Sequence, residues 1–356
     1  MTASTSVSLS AGQQEKLLRH IRRISTMELV GLILARKGIA RTAANWDEML
    51  GRLRSSLESP ATFSADELVG HALEIEEHGR QHIFLYNVEQ EGVPKQEGQP
   101  SLNWPLLEKA ALQFKTQGDL ERTGELLEPE SPTLVKAEVN EDGFTFKQVF
   151  MREEWHRTSD REQGDTRTMT WERTRRRSAS LLRVRRDGVA EVRIEKRTPR
   201  FEASSHSLYE RERNLLTMQV SEKLGCEFIP LKLGRLRANL WRDRSTLPDG
   251  FRICNMKGRT FDGIELALAA SALDATLVNE EVVAETVKAF DHHDGRLRRF
   301  VLSCDFHPYT DSDRRRTVNI TIPDRGNRGT NVIIVQARCE KVEYEYILKG
   351  ILQFAR

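Results

Sequence analysis

The sequence predicts an α+β protein, with an N-terminal helical bundle followed by a largely antiparallel sheet domain and flanking helices. Three observations predict it. Capping boxes near the N-terminus each precede an apolar set at helical spacing. Alternating apolar runs broken by Asp-Gly follow from about residue 131. The last third then runs as consecutive strands and a helix, unlike the regular alternation of βαβ units.

The bundle begins with four helix starts: Ser10/Gln13, Ser25/Glu28, Asn45/Glu48 and Ser64/Glu67. In each, a small polar cap accepts from the third helical amide while a Glu or Gln reaches back to the cap. Behind them come Leu17, Leu18, Ile21, Ile24; Leu29, Val30, Ile33, Leu34; Trp46, Met49, Leu50, Leu53; and Leu68, Val69, Ala72, Ile75. The connections at 37–42 and 58–63 are short, as neighbouring antiparallel helices require, and the apolar segment Ile83–Val88 is expected to close the bundle.

Over roughly residues 15–90, the runs RISTMELVGLIL, TFSADELVGHALEIEEHGRQ and HIFLYNVE resemble the pyrin-type N-terminal domain of the centromere protein N family. Met27, Leu29, Val30, Ile33, Leu68, Ile75, Ile83 and Phe84 carry the match. The resemblance implies a death-fold bundle joined to an α/β domain with an antiparallel sheet, and binding to nucleosomal DNA and histone. Only the general expectation of DNA binding is carried over, because individual contact residues do not align. A death fold in a bacterial chain would instead imply an assembly module of a defence or signalling system.

At 356 residues the chain is long enough for two or three domains of ~150 residues each. The expected division is 1–90 (bundle), 91–130 (linker and short helix) and 131–356 (basic α+β domain, with a possible break near 205–260). The four cysteines, Cys226, Cys254, Cys304 and Cys339, form no CxxC pair, which favours a reducing, intracellular setting, cytoplasmic or nuclear. The N-terminus lacks a charged segment leading into an apolar core, and Gly263–Val278 is broken by Glu265 and Asp274, so neither secretion nor membrane spanning is expected.

Formal net charge is +2, but residues 1–145 hold 15 Lys/Arg against 22 Asp/Glu and residues 146–356 hold 40 against 31. This makes the C-terminal part the candidate for a polyanion. Two hairpins are legible in it. Asp142-Gly143 separates 134–139 from 144–150, and a loop at Arg186-Asp187-Gly188 sets Leu182 opposite Val192, Arg183 opposite Glu191 and Val184 opposite Ala190. That register gathers apolar residues on one face and arginines on the other, predicting a cationic sheet face. Helices are expected at 104–115, 207–225, 263–273, 279–290 and 342–354, with strands at 299–306, 317–322 and 331–336.

The candidate phosphate-binding residues are Arg175, Arg176, Arg177, Arg183, Arg185, Arg186 and Arg193, joined by Arg235 and Arg237, because the guanidinium fork donates bidentately to phosphate. Trp171 and Trp241 could stack on bases or fill the core. Duplex DNA, bound without sequence specificity, is the expected ligand, with a protein partner on residues 1–90 or on the C-terminal strands and helix. No cofactor is expected. The alternatives are a metal-dependent hydrolase or nuclease using Asp291, His293, Asp305 and His307, or a structural subunit pairing through Tyr344, Ile347, Ile351 and Phe354. GxSxG, HExxH and GxGxxG motifs are absent from the sequence.

Overall fold

The computed structural model describes residues 9–58, 63–93, 102–116, 126–196, 205–270, 276–277, 281–292, 296–307, 316–323 and 331–355. The chain forms two compact units, each of which it enters more than once: Met1–Arg23, Arg52–Glu77 and Val88–Phe228 make the first, and Ile24–Gly51, His78–Asn87 and Ile229–Arg356 the second. The division expected from sequence was consecutive.

Helices α1 (Ala11–Ile24), α2 (Met27–Ala35), α3 (Trp46–Leu57) and α4 (Ala65–His78) start close to their predicted caps. Ser10 and Ser64 close reciprocal capping boxes with Gln13 and Glu67. At the second start Thr26, not Ser25, caps, its side chain accepting from the Leu29 amide. The apolar set of each helix is buried, as for Leu17, Leu18, Ile21, Leu53, Leu68 and Ala72. Residues 81–90 depart from expectation, forming strand β1 (Gln81–Gln90) and not a bundle segment. Six of its residues in a row are buried, the pattern of a strand covered on both faces, and Ile83, Phe84, Tyr86 and Val88, β-branched or aromatic, favour that conformation.

In the first unit the strands run in the order β2 (Thr133–Asn140), β3 (Gly143–Gln163), β4 (Thr166–Arg185) and β5 (Val189–Glu195), all antiparallel. Both predicted hairpins are present, with Leu182↔Val192, Arg183↔Glu191 and Val184↔Ala190 in the expected register. Gly143 makes the first turn possible. Its φ is +126°, and a β-carbon there would stand 2.0 Å from the Val184 carbonyl oxygen. Phe144, Phe146, Leu182, Val184, Val192 and Ile194 are buried on the even face of this sheet, the side of α5 (Trp104–Ala111) and α6 (Ser205–Leu224).

In the second unit β1 pairs with β11 (Val332–Val335), and the order continues through β10 (Arg316–Pro323), β9 (Arg296–Phe306), β7 (Phe251–Arg259) and β8 (Glu265–Ala269); β6 (Cys226–Pro230) also pairs with β1. The helices here are α7 (Leu233–Arg242), α8 (Glu281–His292) and α9 (Lys341–Leu352). Residues 265–269, within the stretch 263–273 expected to be helical, are the edge strand β8, paired with β7 from Asn255↔Ala269 to Arg259↔Glu265. Cross-strand pairing there overrides helix propensity. Tyr344, Ile347, Ile351 and Phe354 are buried within their own unit, and the strands β10 and β11 are interior to the sheet. That removes the subunit interface expected on this helix face and these strands. Among the described residues no helix is long and apolar enough to cross a membrane.

Candidate nucleic-acid interface

The candidate phosphate-binding arginines of this unit have three different fates, set by the strand face and the depth at which each lies. The innermost are buried. Arg177 is 2% exposed and donates through Nε and Nη2 to the Glu76 carboxylate of α4 at 2.8 and 3.0 Å, and through Nη1 to the Leu127 carbonyl at 2.6 Å. Lys147 Nζ lies 3.0 Å from the same Glu76 carboxylate and 3.1 Å from that of Glu77. Arg193 grips Glu191 at 2.8 and 3.1 Å and donates to the Glu77 carbonyl, while Arg183 reaches Glu191 at 3.5 Å. His20 of α1 completes the group, its Nε2 3.4 Å from Glu76 Oε1.

The expected solvent-facing surface is therefore corrected for Arg177, Arg183 and Arg193. Each buried guanidinium has its own carboxylate: Glu76 of α4 pairs with Arg177, and Glu191 of β5 pairs with Arg183 and Arg193. Burial alone would raise the Glu76 carboxyl, but Arg177 and Lys147 outweigh it and hold it well below the usual carboxylate range. Burial lowers His20 against the opposing pull of Glu76.

The second group is paired at the sheet's other face and loops. Arg176 bridges Glu154 at 2.8 Å and Glu195 at 3.1 Å; burial opposes its charge, but these two carboxylates leave it raised. Arg185 reaches Asp187 at 3.4 Å, and Arg186 lies 4.3 Å over the Trp104 ring while donating to the Asn140 carbonyl.

The third group is exposed. Beyond about residue 154, β3 and β4 continue as a two-stranded ribbon, closed by a two-residue Gly164-Asp165 turn, with nearly every side chain in solvent. Pairings Glu153↔Arg175, Trp155↔Arg173, Arg157↔Trp171, Asp160↔Met169 and Glu162↔Arg167 put Trp155, Trp171 and Met169 on one face with Arg157, Arg167, Arg173 and Arg175. An irregularity between Arg157 and Ser159 keeps that face continuous. Trp155 is 43% exposed and Met169 41%. Arg157 and Arg167 share Asp160 at 2.8 and 2.7 Å, and Arg173 meets Glu153. Arg175 is the one predicted phosphate-binding residue on this outer part. The sequence reading did not single out Arg157, Arg161, Arg167 or Trp155, whose alternation was masked by the polar residues between them.

In the second unit Arg235 is exposed on α7, whereas Arg237 is 7% exposed and donates to the Leu297 and Pro323 carbonyls at 3.2 and 3.1 Å, tying α7 to β9 and β10. Arg237 is thus corrected from a phosphate ligand to a clamp. Arg237, Trp241, Arg242, Arg244 and Arg296 line an open cleft of about 680 Å³ with Asp291. Partial desolvation raises the Asp291 carboxyl and His292 opposes it.

The proposed Asp/His cluster is not assembled among the described residues. His293 lies outside them, Asp305 binds Arg252 at 2.7 Å and the Thr317 hydroxyl at 2.7 Å, and His307 is exposed at a strand end. No described group of three or more His, Cys, Asp or Glu side chains could hold a metal ion. Burial, with Asp305 and Glu343 adding to it, pushes the Cys304 thiol up to about 12, so it is no nucleophile near neutral pH. Comparison with protein-family models and with curated proteins finds no match to the chain.

Proposed function

We propose that this chain is a non-enzymatic DNA-binding and assembly protein that holds the duplex backbone through the outer half of the β3–β4 ribbon. The observation that carries the reading is one ribbon face on which the exposed Arg157, Arg167, Arg173 and Arg175 alternate with the exposed Trp155 and Met169 and the half-buried Trp171. A two-stranded ribbon matches the roughly 12 Å width of the major groove. Guanidinium forks match phosphate oxygens, and the carboxylates now beside three of these arginines are weak competitors, since exposed ion pairs contribute only ~0–1 kcal/mol. The protein-facing part of the reading belongs to residues 1–90 and rests on their resemblance to the centromere protein N family.

The test is a binding isotherm for a labelled duplex, a single strand and an RNA of equal length, with the wild type and with Arg173→Glu/Arg175→Glu. Both positions are exposed, so the double variant keeps the wild-type melting temperature. Duplex affinity falls at least ~100-fold at low salt, the loss expected when about two charge-assisted contacts become repulsive. Equal affinity in wild type and variant removes the ribbon as the site.

A further inference from the structure

The cleft of the second unit gathers guanidiniums, an indole and a carboxylate around one concave site. Residues Gly234, Arg237, Ala238 and Trp241 recur at i, i+3, i+4 and i+7, so one face of α7 forms a wall in which Gly234 and Ala238 leave room beside Arg237 and Trp241. The opposite face, Leu233, Leu236 and Leu240, is buried and holds the helix in place. Arg237 fixes the wall to β9 and β10 through its two carbonyl bonds. Arg242 and Arg244 follow at the helix end, Arg296 and Leu297 enter from the start of β9, and Asp291 from the last turn of α8.

The Arg244 guanidinium lies 4.4 Å from the centroid of the Trp241 ring and donates to the Trp241 carbonyl at 3.1 Å, a stacked pair that a further planar ring can extend. Arg242 is held by Asp243 at 2.8 Å but is 69% exposed, so that bond exchanges readily for an anion. The cleft volume of about 680 Å³ lies within the range of small-molecule sites.

We infer that this cleft binds a nucleoside 5′-phosphate, free or at the end of a strand. Arg242, Arg244 and Arg296 take the phosphate, Trp241 stacks with the base, and Asp291 accepts a hydrogen bond from an exocyclic amine. Phosphate groups alone would need only the arginines; the indole and the single carboxylate among several guanidiniums select a ligand with a planar, amine-bearing part. This site goes beyond ribbon binding, because it lies entirely in the second unit and the ribbon entirely in the first.

Titration calorimetry of the full chain with inorganic phosphate, AMP, ATP and a 5′-phosphorylated hexanucleotide tests it. AMP or the phosphorylated hexamer binds at least ~10-fold more tightly than inorganic phosphate, a base contributing roughly that much through stacking. Preference for AMP and ATP assigns the site to free nucleotides, and preference for the hexamer assigns it to strand ends. Gly234→Phe fills the cleft without strain, since a β-carbon at Gly234 meets nothing within 4 Å, and it abolishes that binding. Trp241→Ala removes the preference over phosphate, and Arg296→Ala lowers affinity ~10- to 100-fold. Arg173→Glu/Arg175→Glu leaves nucleotide binding unchanged, so failure of one site is separable from failure of the other. Absence of binding at millimolar ligand, phosphate as tight as AMP, or full affinity in Gly234→Phe overturns the inference.

Discussion

At Glu76, one buried carboxylate meets Arg177, Lys147 and His20 within 3.4 Å, and the protonation of these groups is bound to folding. Glu76 is held well below its ordinary value of 4.5, and burial lowers His20 below its ordinary 6.5. Both folded values are depressed, so the unfolded chain binds more protons and stability rises with pH. The His20 contribution is complete above its unfolded value near 6.5 and is lost as pH falls below it; the Glu76 contribution is lost only in more acid solution, below about 4.5. Thermal melts from pH 8 to pH 3 should show a decline in two stages, and His20→Gln should flatten the first. An unchanged slope in that variant would assign the decline elsewhere. Glu76→Gln should cost about 3–5 kcal/mol at pH 7 by denaturant titration, because it strands Arg177 without its counter-charge.

The element that decides the functional reading is the β3–β4 ribbon. Its inner half is largely buried on both faces, and its outer half is largely exposed, with Trp171 half-buried. An outer half of that kind contributes little to folding, because it buries little apolar surface. Replacing residues 156–172 by Asn-Gly, which joins the opposed pair Trp155 and Arg173 by a two-residue turn, should leave the melting temperature within a few degrees and lower duplex affinity roughly 10- to 100-fold, since Arg157 and Arg167 are lost while Arg173 and Arg175 stay. A collapse in melting temperature would show the outer half to be structural. The ribbon's existence was partly legible. Phe144–Phe150 and Leu182–Val184, on its inner half, alternate strongly enough to be read as strands, whereas Thr158–Thr170 is a polar run in which neither face is apolar, so nothing in its periodicity marks a strand.

Across the whole molecule, opposite charges nearly cancel, so long-range attraction to a polyanion is small and affinity must come from local clusters. The salt dependence of duplex binding should therefore count local contacts. With about four ribbon arginines on phosphates, the slope of log affinity against log salt is expected near −3.6, and Arg173→Glu/Arg175→Glu should reduce its magnitude by about two. A slope near zero at measurable affinity would rule out phosphate contact as the source.

Caps, helical periods, the two hairpins and the register of Arg183 against Glu191 were written in the sequence by itself, because each depends on residues within about ten positions of one another. Only the tertiary structure decided which arginines are buried. Arg177 and Glu76 are 101 positions apart, and no local pattern announces that an acidic pair on α4 will neutralise the inner part of a basic strand and leave its outer part to solvent. The same holds for the cleft, where Trp241, Asp291 and Arg296 come from three elements whose meeting depends on long-range packing.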